Sequence, residues 1–189
     1  MFLICGLGNP GKEYFNTRHN IGFQLIDKLS KFYNFYSFKK DNKKEILKGL
    51  INNNTCLLMK PLSFMNLSGQ PIQEIMNFYK IEKNKLFIIH DDLDLSLGKV
   101  KIKFGGGNGG HNGLSSIDEM IGVNYYRLRI GIDHPGVKNQ VSNYVLNKFT
   151  DIEMDVIENN LNKITKNFKL LLDDSNLFLT KIAKGNNGI

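Results

Sequence analysis

A chain of 189 residues can bury one substantial core, and a net charge of +7 with a pI near 9.3 favours a polyanionic partner. No apolar run reaches the ~18 residues that a membrane span needs. Met1-Phe-Leu-Ile-Cys5 lacks the basic opening of a signal peptide, so a cytoplasmic protein without membrane contact is expected. Cys5 and Cys56 sit among apolar neighbours without metal-type spacing, and are expected as buried free thiols in a reducing compartment. Total charge is weak evidence by itself, because a chain rich in Lys and Asn, whose arginines are Arg18, Arg127 and Arg129, also follows from AT-rich coding. The position of particular bases matters more.

Phe2 to Leu7 is an apolar run without alternation, the mark of a buried strand. Gly6-Leu-Gly-Asn-Pro-Gly11 then turns the chain. A Gly-x-Gly after a strand hints at a dinucleotide pocket, but Pro10 and Lys12-Glu-Tyr-Phe15 break that fingerprint. Asn16-Thr-Arg-His-Asn20 closes the loop, and Ile21, Leu25, Ile26, Leu29 and Phe32 recur at helical spacing. Residues 39–45 read as charged and exposed. Leu47 to Ile51 and Thr55 to Met59 flank Asn52-Asn-Asn54 as a β-hairpin. Lys60 to Asn66 reads as a loop, followed by a helix from about Leu67 to Tyr79. Leu86 to His90 is an apolar strand ending in Asp91-Asp-Leu-Asp94. Lys99 to Lys103 alternates Lys with Val or Ile, which puts Lys99, Lys101 and Lys103 on one face of a strand.

Lys103-Phe-Gly-Gly-Gly-Asn-Gly-Gly-His-Asn-Gly113 holds six glycines in eleven residues. Such a run costs conformational entropy and supplies backbone shapes that other residues cannot adopt. A flexible linker is the bland reading, but linkers seldom join a β-like run to an amphipathic helix. Leu114, Ile117 and Ile121 continue at helical spacing, with Asn112 near the N-cap. The N-terminus of that helix offers amide hydrogens to an anion or a polarised oxygen. Tyr126 to Ile132 reads as a strand and Asp133-His-Pro-Gly136 as a turn. A long amphipathic helix is expected over about 151–172, a short one near 177–183, and fraying from Gly185. The fold class is α/β: a single domain over residues 1–189, with C-terminal helices from about 151. Its architecture is a three-layer sandwich with a mixed, mostly parallel twisted sheet flanked by helices. Such sheets place sites at the carboxyl ends of their strands, where Asn9, Asp91 and the glycine run all fall.

The loops thus deliver Asn9, His19, Asn66, Asp91 and Asn112 toward one rim. His19 suits general-base work near neutrality, and a carboxylate such as Asp91 on its second nitrogen would fix the tautomer. Asparagine amides donate to oxyanions and pair with peptide groups. No Gly-x-Ser-x-Gly elbow and no exposed cysteine supplies a nucleophile, which leaves water. The set suggests hydrolysis of an acyl compound. Other readings stand beside it. His19, Asn66 and Asn112 could be caps, and Phe64 and Met65 could be core. Asp91, Asp92 and Asp94 could form a solvated turn or a Mg²⁺ site.

Six segments together resemble the bacterial-type peptidyl-tRNA hydrolase family: Gly6 to Tyr14, Thr17 to Gly22, Lys60 to Gly69, His90 to Asp94, Gly105 to Leu114 and Tyr126 to Ile132. The resemblance implies hydrolysis of the peptide–tRNA ester, with peptidyl-tRNA as the nucleic-acid partner. It also implies a cytoplasmic monomer without metal or cofactor. It makes His19 the general base and Asp91 its orienting carboxylate, and Asn9 would discriminate N-blocked from free aminoacyl-tRNA. Asn66 and Asn112 would bind the peptide main chain, with His111 beside them on the substrate rim. Tyr14, Phe64 and Met65 would line the groove, and Lys103 and Arg129 would grip the tRNA 5′-phosphate. Asn108 departs from relatives that carry His there, and residues 147–189 match only loosely. Some plant relatives are RNA-splicing factors without hydrolase activity; here the whole catalytic set is present.

Overall fold

The structure, a computed structural model, describes residues 1–184. The fraying expected from Gly185 lies outside the described residues. Seven strands form one mixed sheet: β1 (Phe2–Gly6), β2 (Tyr36–Lys40), β3 (Lys44–Ile51), β4 (Asn54–Pro61), β5 (Leu86–Asp92), β6 (Val100–Phe104) and β7 (Tyr126–Gly131). Their order is β2-β3-β4-β1-β5-β7-β6. The central strands β4, β1, β5 and β7 run parallel, and antiparallel pairs flank them on both sides. The helices are α1 (Ile21–Phe32), α2 (Gly69–Tyr79), α3 (Asn112–Ile121), α4 (Val141–Leu146), α5 (Asp151–Asp173) and α6 (Ser175–Lys184). None of them is long and apolar enough to cross a membrane.

The unbroken apolar runs of β1 and β5 follow from burial on both faces. Ile4, Phe87 and Ile89 join Leu25, Ile26, Ile164 and Phe168 in the core beneath α1 and α5. Their alternate neighbours Leu3, Cys5, Leu86 and Ile88 join Ile72, Ile75, Leu114 and Ile117 in the core beneath α2 and α3. Period-two alternation thus divides each strand between two cores and makes the sheet the middle layer. Cys5 and Cys56 are free and buried. The β3–β4 hairpin closes through Asn52 and Asn53 at φ 48° and 60°, the left-handed pair that a tight two-residue turn needs.

Three features differ from the sequence expectation. β2 was not anticipated, because all five of its residues are exposed and an edge strand without a buried face has no pattern to read. Lys44, expected to be exposed, is 5% exposed. Its stem is covered while its Nζ lies 2.9 Å from Glu74 on α2 and 3.5 Å from Asp41, so the charge is buried with partners. Residues 65–67 form a 3-10 turn, which moves the start of α2 to Gly69. The N-terminus of α5 carries a capping box, in which Thr150 and Glu153 bond each other's backbone amides.

One contact sets the site. A Cβ on Gly6 would lie 2.2 Å from the carbonyl oxygen of Gly22, and one on Gly22 would lie 2.4 Å from the Leu7 amide nitrogen. Only glycine at both positions lets the start of α1 press against the end of β1. The 3-10 turn Arg18–Asn20 that leads into α1 is thereby brought against the Gly6–Asn9 loop.

Candidate active site

β1 and β5 are parallel neighbours, so their carboxyl ends deliver Asn9 and Asp91 to the same edge of the sheet. β6 is antiparallel to β7, so the glycine run does not start at this edge, as expected from sequence, but leaves β6 at the opposite one; it climbs back to the start of α3, and a cleft of about 1160 Å³ opens there. Asn9, His19, Asn66, Asp91, Asn112 and Lys103 all line it. Met65, Phe64, His111 and Arg129 are also on its walls, whereas Tyr14 is not.

His19 Nδ1 lies 2.9 Å from both Asp91 oxygens. A carboxylate accepts, so Nδ1 carries the hydrogen and the lone pair sits on Nε2, which has no hydrogen-bond partner among the described residues. Burial opposes a positive charge on His19, but the Asp91 carboxylate outweighs it and raises the imidazole above its ordinary value. Burial likewise opposes the Asp91 charge, yet His19 and His111 hold that carboxyl far below the usual range. His90 donates from Nδ1 to the Asp91 carbonyl at 2.6 Å. Burial, and then His111, push His90 down to about 3, so its ring is neutral. Its Nε2 is buried without a hydrogen-bond partner among the described residues.

Arg18 ties the turn carrying His19 to the other end of the chain. It makes a two-toothed ion pair with Glu153 at 3.0 and 2.8 Å, and donates to the carbonyls of Asn147 and Lys148. Asn20, given no role by the sequence alone, clasps Asn9: its Oδ1 accepts from the Asn9 amide and its Nδ2 donates to the Asn9 carbonyl, each at 2.9 Å. Asn9 Oδ1 then accepts from the Met65 amide at 2.8 Å, which leaves Nδ2 for the cleft. Met65 itself is core, 4% exposed. Phe64, Asn66 and Asn112 are exposed on the cleft.

The cap of α3 is His111, with Asn112 as the first helical residue. Lys103, on β6, is exposed. Arg129 gives its Nε to Asp92 at 2.6 Å. Arg127, also missed by the sequence reading, is buried and donates to the carbonyls of Gly106 and Gly107, each at 2.7 Å, and to Asp118. It clamps the glycine run to β7. Asn20 and Arg127 act through contacts between distant segments, so no local pattern could have found them.

Metal ligation fits this geometry poorly. His19, Asp91 and His111 offer ligand atoms within 4.8 Å of one another. However, His111 Nδ1 accepts from two backbone amides and its Nε2 faces the carboxylate, so Nε2 bears a hydrogen rather than a lone pair. Asp92 is taken by Arg129 and the Asp94 amide, and Asp94 is exposed, so the three aspartates do not form an oxygen cage.

The profile of the family described as "Peptidyl-tRNA hydrolase" matches residues 3–187. The peptidyl-tRNA hydrolase of Rickettsia bellii (strain RML369-C) is 49% identical over 175 residues, spanning 92% of this chain and 95% of that protein. That of Wolbachia pipientis wMel is 47% identical over 176 residues, spanning 93% and 96%. Among solved structures, peptidyl-tRNA hydrolase from Acinetobacter baumannii superposes with a TM-score of 0.91 at 39% identity, covering 96% of this chain and 94% of that one.

Proposed function

This chain belongs to the peptidyl-tRNA hydrolase family, and we propose that it hydrolyses the ester between peptide and tRNA by direct attack of water with His19 as general base. One observation carries the mechanism: both Asp91 oxygens hold His19 Nδ1, so Nε2 is the ring nitrogen left to take a proton. Water gives a proton to Nε2 as its oxygen bonds the ester carbonyl carbon. The imidazolium that forms is stabilised by Asp91. When the tetrahedral intermediate collapses, the carbon–oxygen bond to the tRNA ribose breaks and the leaving oxygen takes that proton. The oxyanion and the peptide main chain are bound by the amides of Asn9, Asn66 and Asn112.

Asn9 selects against free aminoacyl-tRNA. Its side-chain amide, fixed at Oδ1 by the Met65 amide while Asn20 holds the Asn9 backbone, suits a neutral peptide group and does not replace the hydration of an ammonium. Lys103 and Arg129 take the tRNA 5′-phosphate, and His111, Phe64 and Met65 shape the groove between them. The reaction uses no cofactor or metal. The chain acts as one domain and as a monomer in the cytoplasm, where its substrate arises and where buried thiols such as Cys5 and Cys56 persist.

The test is hydrolysis of N-acetyl-aminoacyl-tRNA with chelator present, comparing wild type with His19→Ala. Activity that survives the chelator and collapses in the variant is expected. Activity lost to chelator, restored by Mg²⁺ and indifferent to His19 overturns the mechanism.

A further inference from the structure

The Asp91 carboxylate has two imidazole partners. His19 Nδ1 reaches both of its oxygens at 2.9 Å, and His111 Nε2 lies 3.0 Å from Oδ1. The two ring centroids are 4.8 Å apart. The tautomer of His111 is dictated from elsewhere. The amides of Gly113 and Leu114, at the start of α3, donate to its Nδ1 at 3.1 and 3.3 Å. An amide nitrogen donates and does not accept, so Nδ1 bears the lone pair and Nε2 the hydrogen.

We propose that His111 is a positioning residue for the base: locked by α3 as a donor at Nε2, it occupies Oδ1 of Asp91 and limits how much of that carboxylate's charge reaches His19. The proposal rests on the reading of His19 as general base. A hydrogen bond given to a carboxylate disperses its negative charge, which weakens the pull on a second donor. His19 keeps Asp91 as its orienting partner without being held so strongly as imidazolium that it fails as a base near neutrality. One oxygen atom thereby joins the end of the glycine run to the catalytic pair.

The other ionisable groups around the pair are engaged elsewhere or exposed on the cleft walls. His90 on β5 bonds the Asp91 carbonyl, Asp92 pairs with Arg129, and Arg127 pairs with Asp118. Arg18, beside His19, is bound to Glu153. Lys103, His134 and Lys138 are exposed on the cleft walls.

His111→Asn separates this role from capping. Asn is a favoured N-cap and replaces the Nδ1 acceptor, but its side chain ends short of the Nε2 position. Two readouts follow: the acid limb of kcat/KM, which reports the free enzyme's base, and the titration of the His19 ring by NMR. Both are expected to move together to higher pH by roughly one unit, the scale of one charge-assisted hydrogen bond. The thermal midpoint is expected to change little. His111→Ala, which also removes the cap, is expected to shift the His19 titration the same way and to lower the midpoint as well. An unmoved His19 titration in both variants overturns the proposal. A raised KM with an unmoved acid limb does so too, and makes His111 a substrate contact. If His19→Ala stays active, the reading of His19 as base has failed, but the NMR titration still decides what His111 does to His19.

Discussion

At the inner end of the cleft His19, Asp91 and Asn9 are 8%, 3% and 7% exposed, and each is tied by hydrogen bonds to residues on other segments. At the outer end Lys103, Asn66 and Asn112 are exposed and have no side-chain hydrogen bond among the described residues. Burial makes inner electrostatics strong and indifferent to salt, whereas exposed charges act through a screened field. Under the proposed mechanism, the inner end makes and breaks bonds and the outer end captures substrate reversibly. Substitutions at the two ends should therefore separate kcat from KM.

The largest effect is expected from His19→Ala. It removes the proton acceptor and should lower kcat by about 10²–10⁴-fold, with tRNA binding unchanged. A matching loss of affinity would erase the distinction between the two ends. Asp91→Asn comes next, at roughly 10–100-fold in kcat, the equivalent of one charge-assisted hydrogen bond. Asp91 raises His19, and the base works deprotonated, so its removal should carry the acid limb of kcat/KM to lower pH. The pair also makes stability depend on pH in two windows. The Asp91 contribution is present above its unfolded value of about 3.9 and is lost as acid protonates the carboxyl. The His19 contribution is full below about 6.5 and is lost as pH rises through its raised folded value.

Asn9→Ala should act between these extremes. The ratio of kcat/KM for N-acetyl-aminoacyl-tRNA over the unblocked form is expected to shrink, because the fixed amide that favours a neutral group is gone. A uniform fall on both substrates, with lowered stability, would make Asn9 a turn residue only. The smallest effect belongs to the outer end. Lys103→Ala should raise KM, leave kcat in place and reduce the log–log salt slope of binding by about one or less. Removing the tRNA 5′-phosphate should then hurt wild type more than the variant; equal losses would detach Lys103 from that phosphate.

The parts legible from sequence are those whose physics is local. β1 and β5 announce themselves because both faces are buried, which makes Phe2 to Cys5 and Leu86 to Ile89 unbroken apolar runs. Asn9 and Asp91 could be singled out because each follows such a run. Pairing at a distance is harder to read. The His19–Asp91 pair, 72 positions apart, is named through the strand-end position of Asp91 and the family resemblance, and nothing near either residue specifies the 2.9 Å contact. Asn20 looks like any helix-leading asparagine until Asn9 is placed against it. Arg127 alternates along β7 as Arg129 does, yet it is 2% exposed and clamps the glycine run, while Arg129 lies on the cleft with Asp92. β2 and Lys44 escaped for the opposite reason, since composition alone marked their neighbourhood as solvent-facing.

The contact between Gly6 and Gly22 makes backbone thickness the ruler for the catalytic spacing. His19 rides three residues ahead of Gly22, and Asp91 sits on the strand beside Gly6. A single methyl group at Gly22 would meet the Leu7 amide nitrogen at 2.4 Å and the Ile89 carbonyl oxygen at 2.6 Å, so α1 would have to lift away. A displacement of even ~1 Å at reacting groups can cost on the order of 100-fold in rate. Two residues outside the cleft lining thus set the His19–Asp91 spacing, and a protein altered there could keep its fold while the proposed base drifts out of register.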